Sequence, residues 1–116
     1  DVGKAINPKN VEGQIEGGVA MGLGYALKED YPLINSIPQV RFGTLGLLRS
    51  IDMPEVEVII IGKNQASLAY GAKGIGEIAT IPTAPAVASA YYRLDGLRRY
   101  NLPLANTAYR SKTNKK

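Results

Sequence analysis

The chain has 116 residues, a formal net charge of +4, 45% hydrophobic residues, thirteen glycines, no cysteine and no histidine. That length holds one domain or a piece of one. Without Cys and His there can be no disulfide framework, thiolate zinc site, cysteine nucleophile or histidine-based triad, and with only carboxylates left as ligands no metal held directly by the protein is expected.

The positive charge is unevenly placed. All ten acids precede residue 106, as do ten of the fourteen bases, so the excess sits on Arg110, Lys112, Lys115 and Lys116. A neutral body with a short basic tail does not read as a nucleic-acid surface. No run approaches the roughly 18 apolar residues of a membrane helix. The chain starts on Asp1 with no Met and no visible leader, and it reads as a processed or cut fragment.

In chain order, Asn7-Pro8 is the first clear signal. Asn caps a helix well and Pro fits its first position. Val11, Ile15, Val19, Leu23 and Leu27 then recur at every fourth residue, which predicts a helix over about 8–30. The same stretch holds Gly13, Gly17, Gly18, Gly22 and Gly24. Each costs about 1 kcal/mol against Ala in a helix interior, so the helix requires something packed close against its backbone. Gln14 lies among these glycines and reads either as a solvated amide or as a ligand contact.

Tyr31 to Asp52 reads as long irregular chain, with a short strand near Gln39 to Phe42. Its apolar residues are expected to pack on surface outside these 116 residues. Glu55 to Ile61, Glu-Val-Glu-Val-Ile-Ile-Ile, is the one clear strand, followed by a loop over Gly62 to Tyr70.

Gly71-Ala72-Lys73-Gly74-Ile75-Gly76-Glu77 organises the last third of the chain. Its glycines let backbone approach a neighbour closely. The spacing fits neither the P-loop nor the dinucleotide pattern. Glu77 has two readings. It is an exposed acid favoured by the start of the next helix, or a buried carboxylate whose desolvation raises its pKa toward general base work. A second helix is predicted over about 81–94, with Pro82 and Pro85 confined to its first turn and Gly96 ending it. Ala84, Val87, Ala88, Tyr91 and Leu94 form its buried face. Residues 106–116 read as a basic, disordered tail behind a body of residues 1–105. The fold class is α+β, with two helices, one strand at 55–61 and long irregular segments, and a lone strand needs partners.

Several of these stretches together resemble the molybdenum hydroxylases of the xanthine dehydrogenase and aldehyde oxidase family, at the C-terminal end of the large molybdopterin-binding subunit. The resemblance rests on Asp1-Val2-Gly3, Ile6-Asn7-Pro8, Val11 to Gly18, Gly22-Leu23-Gly24, Asp52-Met53-Pro54 and, most specifically, Gly71 to Glu77. Pro82, Ala84, Ala88, Ala90, Gly96, Arg98 and Leu102-Pro103 continue it. It implies a fragment of a molybdopterin-binding domain. It also implies Glu77 as the general base that activates a molybdenum-bound hydroxyl, Gln14 as a hydrogen-bond partner of the pterin, and Gly74, Ile75 and Gly76 as backbone beside the cofactor. The cofactor would be molybdopterin or its cytosine dinucleotide form, with 2Fe-2S clusters and FAD in companion domains or subunits.

The enzyme reading is then hydroxylation of an electron-poor carbon, in a purine-like heterocycle or an aldehyde, by a cytoplasmic enzyme of which this piece alone is inactive. Its partners would be the rest of the large subunit, the iron-sulfur and flavin components and a small-molecule substrate, with no nucleic acid and no membrane. Exposed apolar loops favour self-association of the isolated piece. A non-catalytic structural subunit and a small Gly-rich anion-binding module, using the amides of residues 71–76, are the competing readings.

Overall fold

The computed structural model describes residues 1–65 and 67–108. Helix α1 spans Pro8–Leu27. Asn7 starts it as the residues suggested: its extended backbone lets the side chain accept from the Asn10 amide at 3.1 Å. The helix stops short of residue 30 because the Lys28 and Glu29 amides both turn back to the Gly24 carbonyl, each at 2.9 Å. Helix α2 spans Thr83–Asp95, with Pro85 inside its first turn. Gly96, at φ +71°, closes it by donating to the Tyr92 carbonyl at 2.8 Å.

The helices meet where α1 has no side chains. A Cβ on Gly22 would lie 2.5 Å from Thr83 Cβ, and one on Gly18 would lie 2.7 Å from Ala79 Cβ. Two of the costly helix glycines are thus explained by the close approach of α2 and the turn before it. Ala26, Leu27, Ala84 and Leu104 form the buried centre, with Leu23, Tyr25, Val87, Ala88 and Tyr91 packed around it. The Leu104 amide donates to the Ala26 carbonyl at 2.7 Å and seats the exit segment against α1. Leu94 departs from the expected buried face. It is 81% exposed, because the last turn of α2 runs past this small core.

The expected strand at Glu55 to Ile61 needs correction. Val56, Val58 and Ile60 are half-buried and the residues between them exposed, as one-sided cover requires. Yet the segment belongs to no sheet. Among the described residues, only its Ile61 carbonyl bonds to other backbone, accepting from Val2 at 2.9 Å. No second described segment runs alongside to form a ladder. The ladder that does form lies elsewhere: β1 (Leu33–Ile34) pairs antiparallel with β2 (Ile37–Pro38). Asn35 and Ser36, both at positive φ, make the two-residue turn between them. A 3-10 turn at Phe42–Thr44 replaces the strand expected near residues 39–42.

The chain is far from self-contained. A folded monomer of 12.4 kDa exposes about 6100 Å². This one exposes 9084 Å², and its radius of gyration is 17.3 Å against about 13 Å for a compact domain of this length. Among the described residues, exposed large apolar side chains far outnumber buried ones.

The tail expectation falls mostly on residues 109–116, which lie outside the described residues. Just before them Thr107 is buried, and the Ala105 carbonyl accepts from Arg99 Nε at 2.8 Å. No helix among the described residues is long and apolar enough to cross a membrane.

Candidate cofactor site

Residues 1–4 form a strap between Ile61 and the Gly-rich loop. The Lys73 amide donates to the Val2 carbonyl at 2.9 Å and the Lys4 amide to the Gly71 carbonyl at 2.8 Å, flanking an antiparallel bridge between Gly3 and Ala72. Gly3 sits at φ +60°, and a Cβ there would lie 2.3 Å from the Gly71 oxygen, so only glycine fits. Ala69, Tyr70 and Gly71 take positive φ in succession, which bends the chain sharply into the loop.

The far end of the loop is tied to α1. Gln14 Nε2 donates to the Gly76 carbonyl across 62 positions of sequence. Strap, loop and the first turns of α1 enclose a cleft of about 440 Å³, bordered by Lys4, Asn7, Asn10, Gln14, Lys73 and Ile75 among others. Three amides and two lysines border it among mostly apolar residues, and of the two lysines Lys73 is already paired with Asp1. Gly74 and Gly76 face open space, since a Cβ on either would meet nothing within 4 Å. The same holds for Gly13 and Gly17, which border a second groove of about 410 Å³ against Met53, Pro54 and Val56.

Gln14, Gly74, Ile75 and Gly76 are therefore brought together. Glu77 follows directly, in the turn that leads to α2, with its carbonyl accepting from the Thr80 amide at 2.9 Å. Its side chain is exposed, so the burial that would prepare it as a base does not come from the described residues. The anion-module reading loses half of its donors. The amides of Gly71, Ala72 and Lys73 already bond the carbonyls of Leu68, Ala69 and Val2, and only those of residues 74–76 remain.

Two features were invisible to residue-by-residue reading. The Asp1 carboxylate accepts from Asn64 Nδ2 at 2.7 Å, Gly3 N at 2.9 Å, Lys73 Nζ at 3.1 Å and Asn64 N at 3.2 Å. Asp52 accepts from Arg49 Nε at 3.2 Å and Lys28 Nζ at 3.3 Å, which ties the segment before Pro54 to the end of α1. The Arg49 contacts foremost, aided by Lys28, hold the Asp52 carboxyl down at about 2. The Arg99 guanidinium likewise lowers Asp95. The Asp1 contacts with Asn64 and Lys73, and the pair of Lys28 with Asp52, join residues too far apart in sequence to leave a local pattern.

The family model of the molybdopterin cofactor-binding domain matches residues 1–54. The xanthine dehydrogenase molybdenum-binding subunit of Escherichia coli is 35% identical over 107 residues, covering 90% of this chain and 14% of that protein. The aldehyde oxidoreductase molybdenum-binding subunit of Escherichia coli is 30% identical over 106 residues, 88% of this chain and 14% of its own length. The isoquinoline 1-oxidoreductase subunit beta of Brevundimonas diminuta is 30% identical over 105 residues, 90% of this chain and 13% of its own. Matches that long take in both α1 and the Gly-rich loop, although the chain spans only about a seventh of the relatives' length. The resemblance to the molybdopterin-binding subunits of the xanthine dehydrogenase and aldehyde oxidase family therefore holds over about nine-tenths of the chain.

Proposed function

We propose that this chain is part of a cytoplasmic molybdenum hydroxylase that oxidises an electron-poor carbon, in a purine-like heterocycle or an aldehyde, with water as the oxygen source. The observation that carries the reading is the bond from Gln14 to the Gly76 carbonyl at the edge of a cleft large enough for a small cofactor. The residues present fit a molybdenum–pterin group. Asn7, Asn10 and Gln14 offer amides at a cleft whose other walls are largely apolar, as a group with a flat ring system and polar edges requires, and the backbone at Gly74 and Gly76 is bare. When bound, the group supplies the redox chemistry and the oxygen to be transferred.

The chain's own residues have narrower tasks. Gln14 offers its amide to the pterin and at the same time fixes the loop through Gly76. Gly74, Ile75 and Gly76 present backbone where a side chain would block approach. Glu77 takes the proton released as oxygen adds to carbon. The remainder of the large subunit covers the exposed apolar residues and brings the burial Glu77 lacks here. Iron-sulfur and flavin components carry the electrons away.

Gln14→Ala in the complete enzyme tests the cofactor role. One hydrogen bond contributes about 0.5–1.5 kcal/mol, a loss of about 2- to 10-fold in cofactor affinity. Molybdenum content after dialysis should fall, while turnover per bound molybdenum changes less. Unchanged molybdenum content would remove Gln14 from the site.

A further inference from the structure

The Asp1 carboxylate uses both oxygens on donors from three separate segments. Oδ1 accepts from the Gly3 amide, and Oδ2 from Lys73 Nζ, Asn64 Nδ2 and Asn64 N. Its side chain is 22% exposed and that of Lys73 36%, so the pair is partly withdrawn from water. Such charge-assisted contacts are stronger than neutral ones and fix direction as well. The backbone around them is equally constrained. Gly3 bridges Ala72 with no room for a Cβ, and a Cβ on Gly62 would meet the Gly3 oxygen at 2.7 Å.

Lys73 is the last residue of the loop held by the strap; the next tie is at Gly76, to Gln14. Gly74 and Ile75 span the gap without a backbone bond donated from either amide. The free span is held at Gly76 by Gln14 and at Lys73 by the strap, where the Asp1 carboxylate adds a side-chain contact to the backbone bonds; beyond Glu77, the Tyr25 hydroxyl donates to the Thr80 carbonyl at 3.1 Å.

We propose that Asp1 is a positioning residue, which through Lys73 and Asn64 sets the register of the loop carrying Gly74 to Glu77 against the N-terminal turns of α1. The proposal rests on the molybdenum–pterin reading for its effect on turnover, but not for its effect on the loop. The strap binds the first half of the loop, the carboxylate locks strap to loop, and the short free span transmits that position to Gly76 and Glu77.

The test uses the complete enzyme with Asp1→Asn, Lys73→Met, the double variant and the charge exchange Asp1→Lys with Lys73→Asp. Hydrogen exchange at the Lys4 and Lys73 amides, which bond the Gly71 and Val2 carbonyls across strap and loop, should quicken by about tenfold in either single variant, as for a lost charge-assisted bond. The double variant should be no worse than the singles, since the pair acts as one unit. The exchange variant should recover part of the protection. Turnover per bound molybdenum should fall with the protection while the substrate KM stays near its starting value. Unchanged amide exchange in both single variants, or effects that simply multiply in the double, would overturn the clasp whatever happens to turnover. Faster exchange with unchanged turnover per molybdenum would leave the clasp in place and overturn its role in the reaction, together with the assignment of this loop to the reacting centre.

Discussion

Replacing Gly22 by alanine should cost stability, whereas replacing Gly17 should add to it. Both lie in α1, and helix propensity alone favours alanine by about 1 kcal/mol at each. At Gly22 the new Cβ would lie 2.5 Å from Thr83 Cβ, 2.8 Å from its Cγ2 and 3.0 Å from its Oγ1. Thr83 is buried and cannot turn away freely, because its hydroxyl donates to the Ala79 carbonyl at 2.9 Å. Overpacking costs about 1–3 kcal/mol and the strained hydroxyl bond about 1 kcal/mol more, so the net loss is about 1–3 kcal/mol. At Gly17 nothing lies within 4 Å of the new Cβ, and the full gain of about 0.5–1 kcal/mol remains. Urea unfolding of the protein carrying each variant measures the difference. A Gly22→Ala protein as stable as Gly17→Ala would mean that α1 and α2 do not approach as described. Gly17→Ala carries a second reading, in cofactor content: a stabilised protein that loads less molybdenum would show that the glycine keeps space for the cofactor or its covering chain.

Three further outcomes are expected. Asp52 is depressed to about 2 from an ordinary 3.8. The unfolded chain therefore takes up the proton first on acidification, so its contribution is whole above about pH 4 and lost as pH falls toward 2; Arg49→Ala should flatten that part of an acid-unfolding curve. Arg99→Ala should lower the melting temperature by about a few degrees, because the guanidinium holds the Ala105 carbonyl at 2.8 Å and Asp95 at 2.6 Å, and an unaltered melting curve would deny it that role. Val58→Pro should prevent the complete subunit from assembling if a neighbouring strand completes the segment at 55–60, whereas normal assembly would show that the edge stays unpaired.

Local chemistry made much of the framework legible. Asn7-Pro8 marks where α1 begins, Gly96 where α2 ends, and Gly18 and Gly22 announce close neighbours before any neighbour is known. The run Glu-Val-Glu-Val-Ile-Ile-Ile reads as a strand, yet Ile59 and Ile61 are exposed and the segment is unpaired, because a strand also needs a partner and a sequence pattern cannot report whether one is present. The β1–β2 hairpin escaped notice because Asn35-Ser36 lacks the glycine that usually marks such a turn. Leu94 fits the helical period yet lies beyond the core it was assigned to. At the site, Gln14 and the loop stand out by composition, but their contact spans 62 positions. The Asp1–Lys73 pair spans 72, and nothing local encodes it.

The proposed function turns on Glu77 removing the proton as oxygen transfers to the substrate carbon. Glu77→Gln keeps the side chain's size and removes its basicity, and general base catalysis contributes about 10²–10⁴ in rate. The decisive measurement is single-turnover reduction by substrate in the complete enzyme, normalised to bound molybdenum. Near-normal molybdenum content and a rate lower by at least about a hundredfold are expected. Reduction of Glu77→Gln at the unaltered rate per molybdenum would contradict the assignment of Glu77 as the base.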